Sequence, residues 1–160
     1  MKVSTTRFGA VDIPDEKLIR FPRGLLGFEQ ATEFFIINHD DDGKLRWLQA
    51  VSLPDLAFLV VDPQHFFADY VYQLRHDYLP LLSFQDGDEL ITAVILTVHG
   101  KGERITVNLQ APIVMNARNL QGVQIVCEED QYTTQHQIYP PLEAVAPSYP
   151  SASEIEDRVP

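Results

Sequence analysis

Glu89-Leu90-Ile91-Thr92-Ala93-Val94-Ile95-Leu96-Thr97-Val98-His99, then Gly100-Lys101-Gly102, then Glu103-Arg104-Ile105-Thr106-Val107-Asn108-Leu109: this stretch decides the class of the fold. Two runs rich in Val, Ile, Leu and Thr flank a short connection with two glycines, the pattern of a hairpin. The same pattern recurs outward in both directions. Met1–Phe8, Lys17–Phe21, Glu33–Asn38, Lys44–Val51, Ala57–Asp62, Asp69–Arg75, Pro112–Met115 and Val123–Glu128 are short, apolar, and separated by Pro, Gly and Asp clusters. Asp40-Asp41-Asp42-Gly43 joins two of them as a second hairpin loop. One short helix is expected from His76 to Phe84, limited by Pro80, and a further turn at Pro63 with Asp62 as its cap. Many short strands with closely spaced turns predict a mainly β chain, an antiparallel, barrel-like single domain with one or two short helices.

The run Phe21-Pro22-Arg23-Gly24-Leu25-Leu26-Gly27-Phe28-Glu29 is too broken for a helix and too bent for one straight strand. Pro22 pushes Phe21 toward extended backbone, and Gly24 and Gly27 supply angles that a Cβ makes costly. Four large apolar side chains left in water would each forfeit roughly 1.5–3 kcal/mol, so the run is expected to pack against the body. It carries no nucleophile and no histidine. It reads as shaped architecture.

At 160 residues, with 45% hydrophobic and 22% charged residues, the chain is of single-domain size and ordinary globular composition. Residues 1–139 form the expected domain. From Pro140 on, five of the eleven prolines and four acidic residues against one arginine predict a flexible tail, with Tyr139 and Leu142 able to dock on the body. Twelve Lys and Arg against 23 Asp and Glu give a formal charge of -11, which argues against direct nucleic-acid binding and favours a basic partner. A single cysteine, Cys127 in an apolar run, excludes an internal disulfide and reads as a buried thiol in a reducing compartment. No run has the length of a membrane span and Met1–Gly9 lacks a signal-peptide core, so a soluble cytoplasmic protein is expected.

Chemistry is hard to find. Asn38, Asp40, Asp42 and Gly43 fit part of a calcium-loop pattern, but position twelve is Gln49 and the flanks are strand-like. His39, His65, His76, His99 and His136 are dispersed, without metal-ligand spacing, and no phosphate-cradling glycine loop or nucleophile elbow is present. No catalytic residues, cofactor or metal are expected: a non-enzyme. Recognition has more candidates. Strand alternation puts Trp47 and Gln49 on one face and Leu48 and Ala50 on the other, the indole being a common interface anchor. Leu56, Phe58, Asp69 and Tyr70 flank one apolar strand beside turns and form the expected contact patch. Asn108 and Asn116 are expected to bond backbone groups near the break at Pro112.

These segments together resemble the flagellar assembly factor FliW family. The resemblance rests on Thr6-Arg7-Phe8-Gly9, on Ile19 through Glu29, on Trp47-Leu48-Gln49 and on Pro54-Asp55-Leu56-Ala57-Phe58. It continues through Asp69-Tyr70 and Thr106 through Asn116, in the family's order, to about residue 139. It implies a β-barrel-like cytoplasmic protein, a monomer when free, that binds newly made flagellin and CsrA, the RNA-binding repressor of flagellin translation. Flagellin accumulating in the cell would occupy the protein. Its export would free the protein to take CsrA off the message, by a route away from the RNA groove of CsrA. The competing readings are a small-molecule-binding β-barrel or a metal-dependent hydrolase using His76 or His99, and a structural subunit of the export apparatus.

Overall fold

The computed structural model describes residues 1–128, 132–138 and 159–160. Among the described residues there are eleven strands: β1 (Lys2–Thr5), β2 (Gly9–Asp12), β3 (Ile19–Arg20), β4 (Glu33–Asn38), β5 (Leu45–Ala50), β6 (Ala57–Val61), β7 (Leu90–His99), β8 (Arg104–Val107), β9 (Ile113–Asn116), β10 (Gly122–Gln124) and β11 (His136–Gln137). Three 3-10 segments, Asp15–Lys17, Pro63–His65 and His76–Leu82, supply the helical content. Asp62 caps the second of them by accepting a hydrogen bond from the Gln64 N–H at 2.9 Å. The expected helix at His76 is therefore a 3-10 segment. Pro80 inside it and left-handed Ser83 (φ 46°) after it limit its length.

β1 and β2 form a separate two-stranded ribbon, while the other nine strands form one antiparallel sheet in the order β10-β9-β7-β6-β5-β4-β3, with β8 and β11 branching from β7. The expected Asp69–Arg75 strand does not form. That stretch is irregular and lies outside the sheet, although Tyr70, Tyr72 and Leu74 still turn their rings and methyls inward. β2 went unrecognised because the Gly9 turn (φ 72°) sits inside what reads as a single polar N-terminal run. Of the expected tail only Val159 and Pro160 are among the described residues, Val159 half-buried against the cluster beneath the β1–β2 ribbon; Tyr139 and Leu142 lie outside them.

The sheet curls until its ends meet. Arg20 N–H donates to the Leu120 carbonyl at 2.9 Å, and Arg20 bridges Gln121, joining β3 to the start of β10. The concave face holds Phe21, Phe34, Leu48, Val60, Ala93 and Ile113. The convex face is covered too, because alternation on β4 to β7 sends Phe35, Ile37, Leu59, Val94 and Leu96 outward. The β1–β2 ribbon covers part of them, and the 66–72 segment with Ile138 and Tyr132 covers the rest. Hydrophobicity on both faces of the central strands thus has a direct structural outlet.

The Phe21–Glu29 run caps one end. Phe21 and Leu25 are buried, Phe28 is half-buried against Phe58 with ring centroids 5.6 Å apart, and Leu26 stands out, 51% exposed. Three of its four large side chains pack; Leu26 does not, because reciprocal Leu25–Phe28 hydrogen bonds put it at the tip of a tight turn. Gly24, at φ 65°, has no room for a Cβ, which would lie 2.5 Å from the Glu29 carbonyl oxygen.

Between β8 and β9 the chain leaves β7. Ala93 pairs with Ile113 and Leu96 with Val107, so Asn108–Pro112 bulge out opposite two residues of β7. The carbonyls of residues 109–112 all find donors. Tyr70 Oη donates to Leu109 O (2.7 Å), Cys127 N to Gln110 O (2.7 Å), Gln124 Nε2 to Ala111 O (3.1 Å) and Ile125 N to Pro112 O (3.0 Å). Asn108 Oδ1 accepts from Ala111 N at 3.1 Å, and buried Asn116 Nδ2 donates to Leu82 O at 3.1 Å. Asn108 thus bonds backbone at the break as read from the sequence, whereas Asn116 bonds the backbone of the His76–Leu82 segment instead of that break.

Candidate protein-binding groove

A groove of about 440 Å³ opens where β6 and β7 part, lined chiefly by Arg7, Trp47, Ala57, Phe58, Ile95 and Val98. Its floor follows from register. β6 and β7 pair only at Leu59↔Leu96, Val60↔Ile95 and Val61↔Val94. Beyond Leu59, β6 continues with β5 alone, down to Gln49↔Ala57, and β7 continues with β8 alone, out to His99↔Arg104. One side of the wedge carries Trp47, the other Phe58 and Ile95. Its lining is apolar apart from Arg7, His39 and Thr97.

Trp47 is half-buried and held from three directions. Its Nε1–H donates to His39 Nδ1 at 3.1 Å, which leaves the His39 proton on Nε2 when the ring is neutral. Phe8, from the ribbon turn, meets it edge-on at 5.9 Å, and the Arg7 guanidinium lies 4.3 Å from its ring centroid. The N-terminal ribbon therefore presents a cation to the groove and braces Trp47 from below with a buried aromatic ring.

Of the six residues expected to contact partners, Trp47 and Phe58 line this groove, and Leu56 is half-buried just before it. Asp69 is exposed on the irregular segment after Pro63–His65. Gln49 and Tyr70 are inside. Gln49 is fully buried, and its Nε2 donates to Ala50 O (3.0 Å) and Pro54 O (3.2 Å), fixing the turn that feeds β6. Tyr70, 4% exposed, spends its hydroxyl on the Leu109 carbonyl, and burial, with Cys127 next to it, raises its pKa. The expected alternation of Trp47 and Gln49 is present, but their face lies beneath the ribbon. The six do not form one exposed patch, because two of them serve the interior. Sequence reading passed over Ile95, Val98 and Arg7; apolar β7 residues look alike until the register shows where its partner departs.

The other polar features are structural. The acidic hairpin loop holds itself together: Asp42 Oδ1 accepts from Lys44 N at 3.0 Å, and Arg46 Nε donates to Gly43 O at 3.0 Å. Burial, then a hydrogen bond and repulsion from Asp42, raises the Asp40 pKa, while the Lys44 N–H lowers that of Asp42. His99 meets Thr106 Oγ1 at 2.9 Å, and His76 is exposed. Among the described residues, no three His, Cys, Asp or Glu side chains converge as metal ligands, and no helix is long and apolar enough to cross a membrane.

Comparison with known proteins agrees on one family. The family described as FliW protein matches residues 2–138. The flagellar assembly factor FliW of Caldanaerobacter subterraneus subsp. tengcongensis is 37% identical over 139 residues, covering 86% of this chain and 93% of that protein. The protein of the same name from Geotalea uraniireducens is 40% identical over 139 residues, covering 87% and 85%. A solved structure described as the crystal structure of the flagellar assembly factor FliW superposes with a TM-score of 0.80 at 31% identity, covering 88% of this chain and 98% of that one. The overall fold is thus a shared one, and this chain is a member of the FliW family of flagellar assembly factors.

Proposed function

We propose that this protein works in flagellar assembly as a partner-switching binder in the cytoplasm. It holds newly made flagellin while flagellin is abundant, and it removes the repressor CsrA from flagellin messenger RNA once flagellin has been exported. Competition between two proteins for a third needs no catalysis, since each partner lowers the free concentration available to the other. One observation carries the reading: the Trp47–Phe58 groove, an apolar opening on a chain of net charge -11. The negative field speeds encounter with a basic partner such as CsrA, and desolvated aromatic and aliphatic side chains hold the complex. Trp47, Leu56 and Phe58 are the contact residues in this reading, with Asp69 as an outlying charge. Gln49 and Tyr70 act from within, by setting the 53–54 turn and the 109 bulge.

Calorimetric titration with purified flagellin and with purified CsrA tests it. Saturable binding of each is expected, with flagellin lowering the apparent affinity for CsrA. Phe58→Ala in a folded protein is expected to weaken binding at least tenfold for one partner or both. If the wild-type protein binds neither, the reading falls.

A further inference from the structure

The groove is more than an apolar dent, because two strand edges face each other across it. Ala50 N–H donates to Leu56 O, so the backbone groups of residues 56, 58 and 60 point toward β5, and those of 57, 59 and 61 toward β7. Asn108 N–H donates to Ile95 O, so residues 95, 97 and 99 of β7 point toward β8, and residues 96 and 98 toward β6. Leu59 and Leu96 pair across the junction. Beyond Phe58 opposite Thr97, the next hydrogen-bonded pair in that register would be Ala57 with Val98, and neither pair forms. Ala57 and Val98 therefore each aim an N–H and a C=O into the groove. The Arg7 guanidinium overlooks the same space, and among the described residues no carboxylate forms an ion pair with it.

We propose that this split is a strand-acceptor site. An extended segment of a protein partner enters between β6 and β7, pairs through its main chain with Ala57 and Val98, and lays alternate apolar side chains against Trp47, Phe58 and Ile95. A carboxylate flanking that apolar core meets Arg7. The site thus takes a short acidic-apolar peptide in β conformation, as in strand addition generally, where main-chain bonds supply affinity and side-chain pockets supply choice. Main-chain pairing tolerates different sequences, which suits a surface that must accept more than one partner. The two exposed edges give the opening a use that a packed sheet would have eliminated.

The inference rests on the proposed binding of flagellin and CsrA, and the test separates the two. Ala57→Pro removes the donor at the first residue of β6, where proline is tolerated, and Val98→Pro removes the facing donor on β7. In variants that melt as the wild type does, each is expected to weaken the partner seated in the groove at least tenfold. Amide exchange adds a readout independent of mutation. The Ala57 and Val98 N–H groups should exchange freely in the free wild-type protein and become protected in its complex. Arg7→Ala should lower affinity several-fold and flatten its salt dependence. Wild-type binding that both proline variants retain, with Ala57 and Val98 unprotected, would overturn strand addition and leave the proposed function standing. Absence of binding to flagellin and to CsrA would overturn both.

Discussion

The ring of Phe21 lies directly on Gly122: a Cβ built at position 122 would stand 2.4 Å from the ring's Cε1. Phe21 is fully buried and meets Phe34 edge-on at 5.4 Å, so it cannot swing away. This contact lies next to the Arg20–Gln121 bridge that closes the barrel. The backbone of Gly122 is in a region open to any residue, so steric overlap alone opposes a side chain there. Gly122→Ala is accordingly expected to destabilise by about 1–3 kcal/mol, the usual cost of forcing volume into a packed core. Chemical denaturation measures it; an unchanged midpoint would mean that β10 shifts freely, contrary to this packing.

Tyr70 gives the second prediction. Its hydroxyl is the donor for the Leu109 carbonyl in the bulge, at 2.7 Å and away from water. Tyr70→Phe keeps the ring among Tyr72, Tyr132 and Cys127 but strands that carbonyl, a loss of about 1–3 kcal/mol. Thermal melts should show the loss, while partner affinity measured on the folded variant should stay within twofold. A large loss of affinity with no loss of stability would assign Tyr70 to the surface instead.

The third prediction concerns acid. Asp88 accepts from Arg118 Nε at 2.8 Å, Asn116 Nδ2 at 2.9 Å and the Gln85 N–H at 2.9 Å, and these bonds, that of Arg118 foremost, hold its carboxyl at about 2. A carboxylate whose pKa is lowered on folding contributes its full stabilisation above its unfolded value, near 3.8, and loses it as pH falls toward 2. The wild type should therefore exceed Asp88→Asn in melting temperature above pH 4, with the gap closing between pH 4 and pH 2. Melts of both proteins across that range check it; a constant gap would contradict the ionic origin.

Much of the fold was legible because its strands carry ordinary signals. Glu33–Asn38 is a strand over that same range, the Asp40–Gly43 and Gly100–Gly102 loops turn where their composition says, and Asp62 caps as expected. The Asp69–Arg75 error has a physical source. Tyr70, Tyr72 and Leu74 alternate like a strand, but they do so to fill gaps beside the sheet, and side-chain alternation says nothing about whether a backbone finds a partner. The groove was half legible. Trp47 and Phe58 stand out by type, whereas Gln49 and Tyr70 look like surface residues until their bonds to Pro54 and Leu109 are seen. Where two strands separate is a long-range property, fixed by register across dozens of residues, and no local pattern carries it.

β7 also has a consequence for biosynthesis. It alone neighbours β6, β8 and β9, so the second edge of β6 awaits it even after β3 to β6 have paired. On the ribosome, β6 is made well before Val94 can reach Val61, and at about 5–20 residues per second a whole strand edge stays bare for a few seconds. The nascent barrel is thus most prone to mispairing in the interval after β6 has emerged and before β7 has, and a pause that holds the chain in that interval lengthens the hazard.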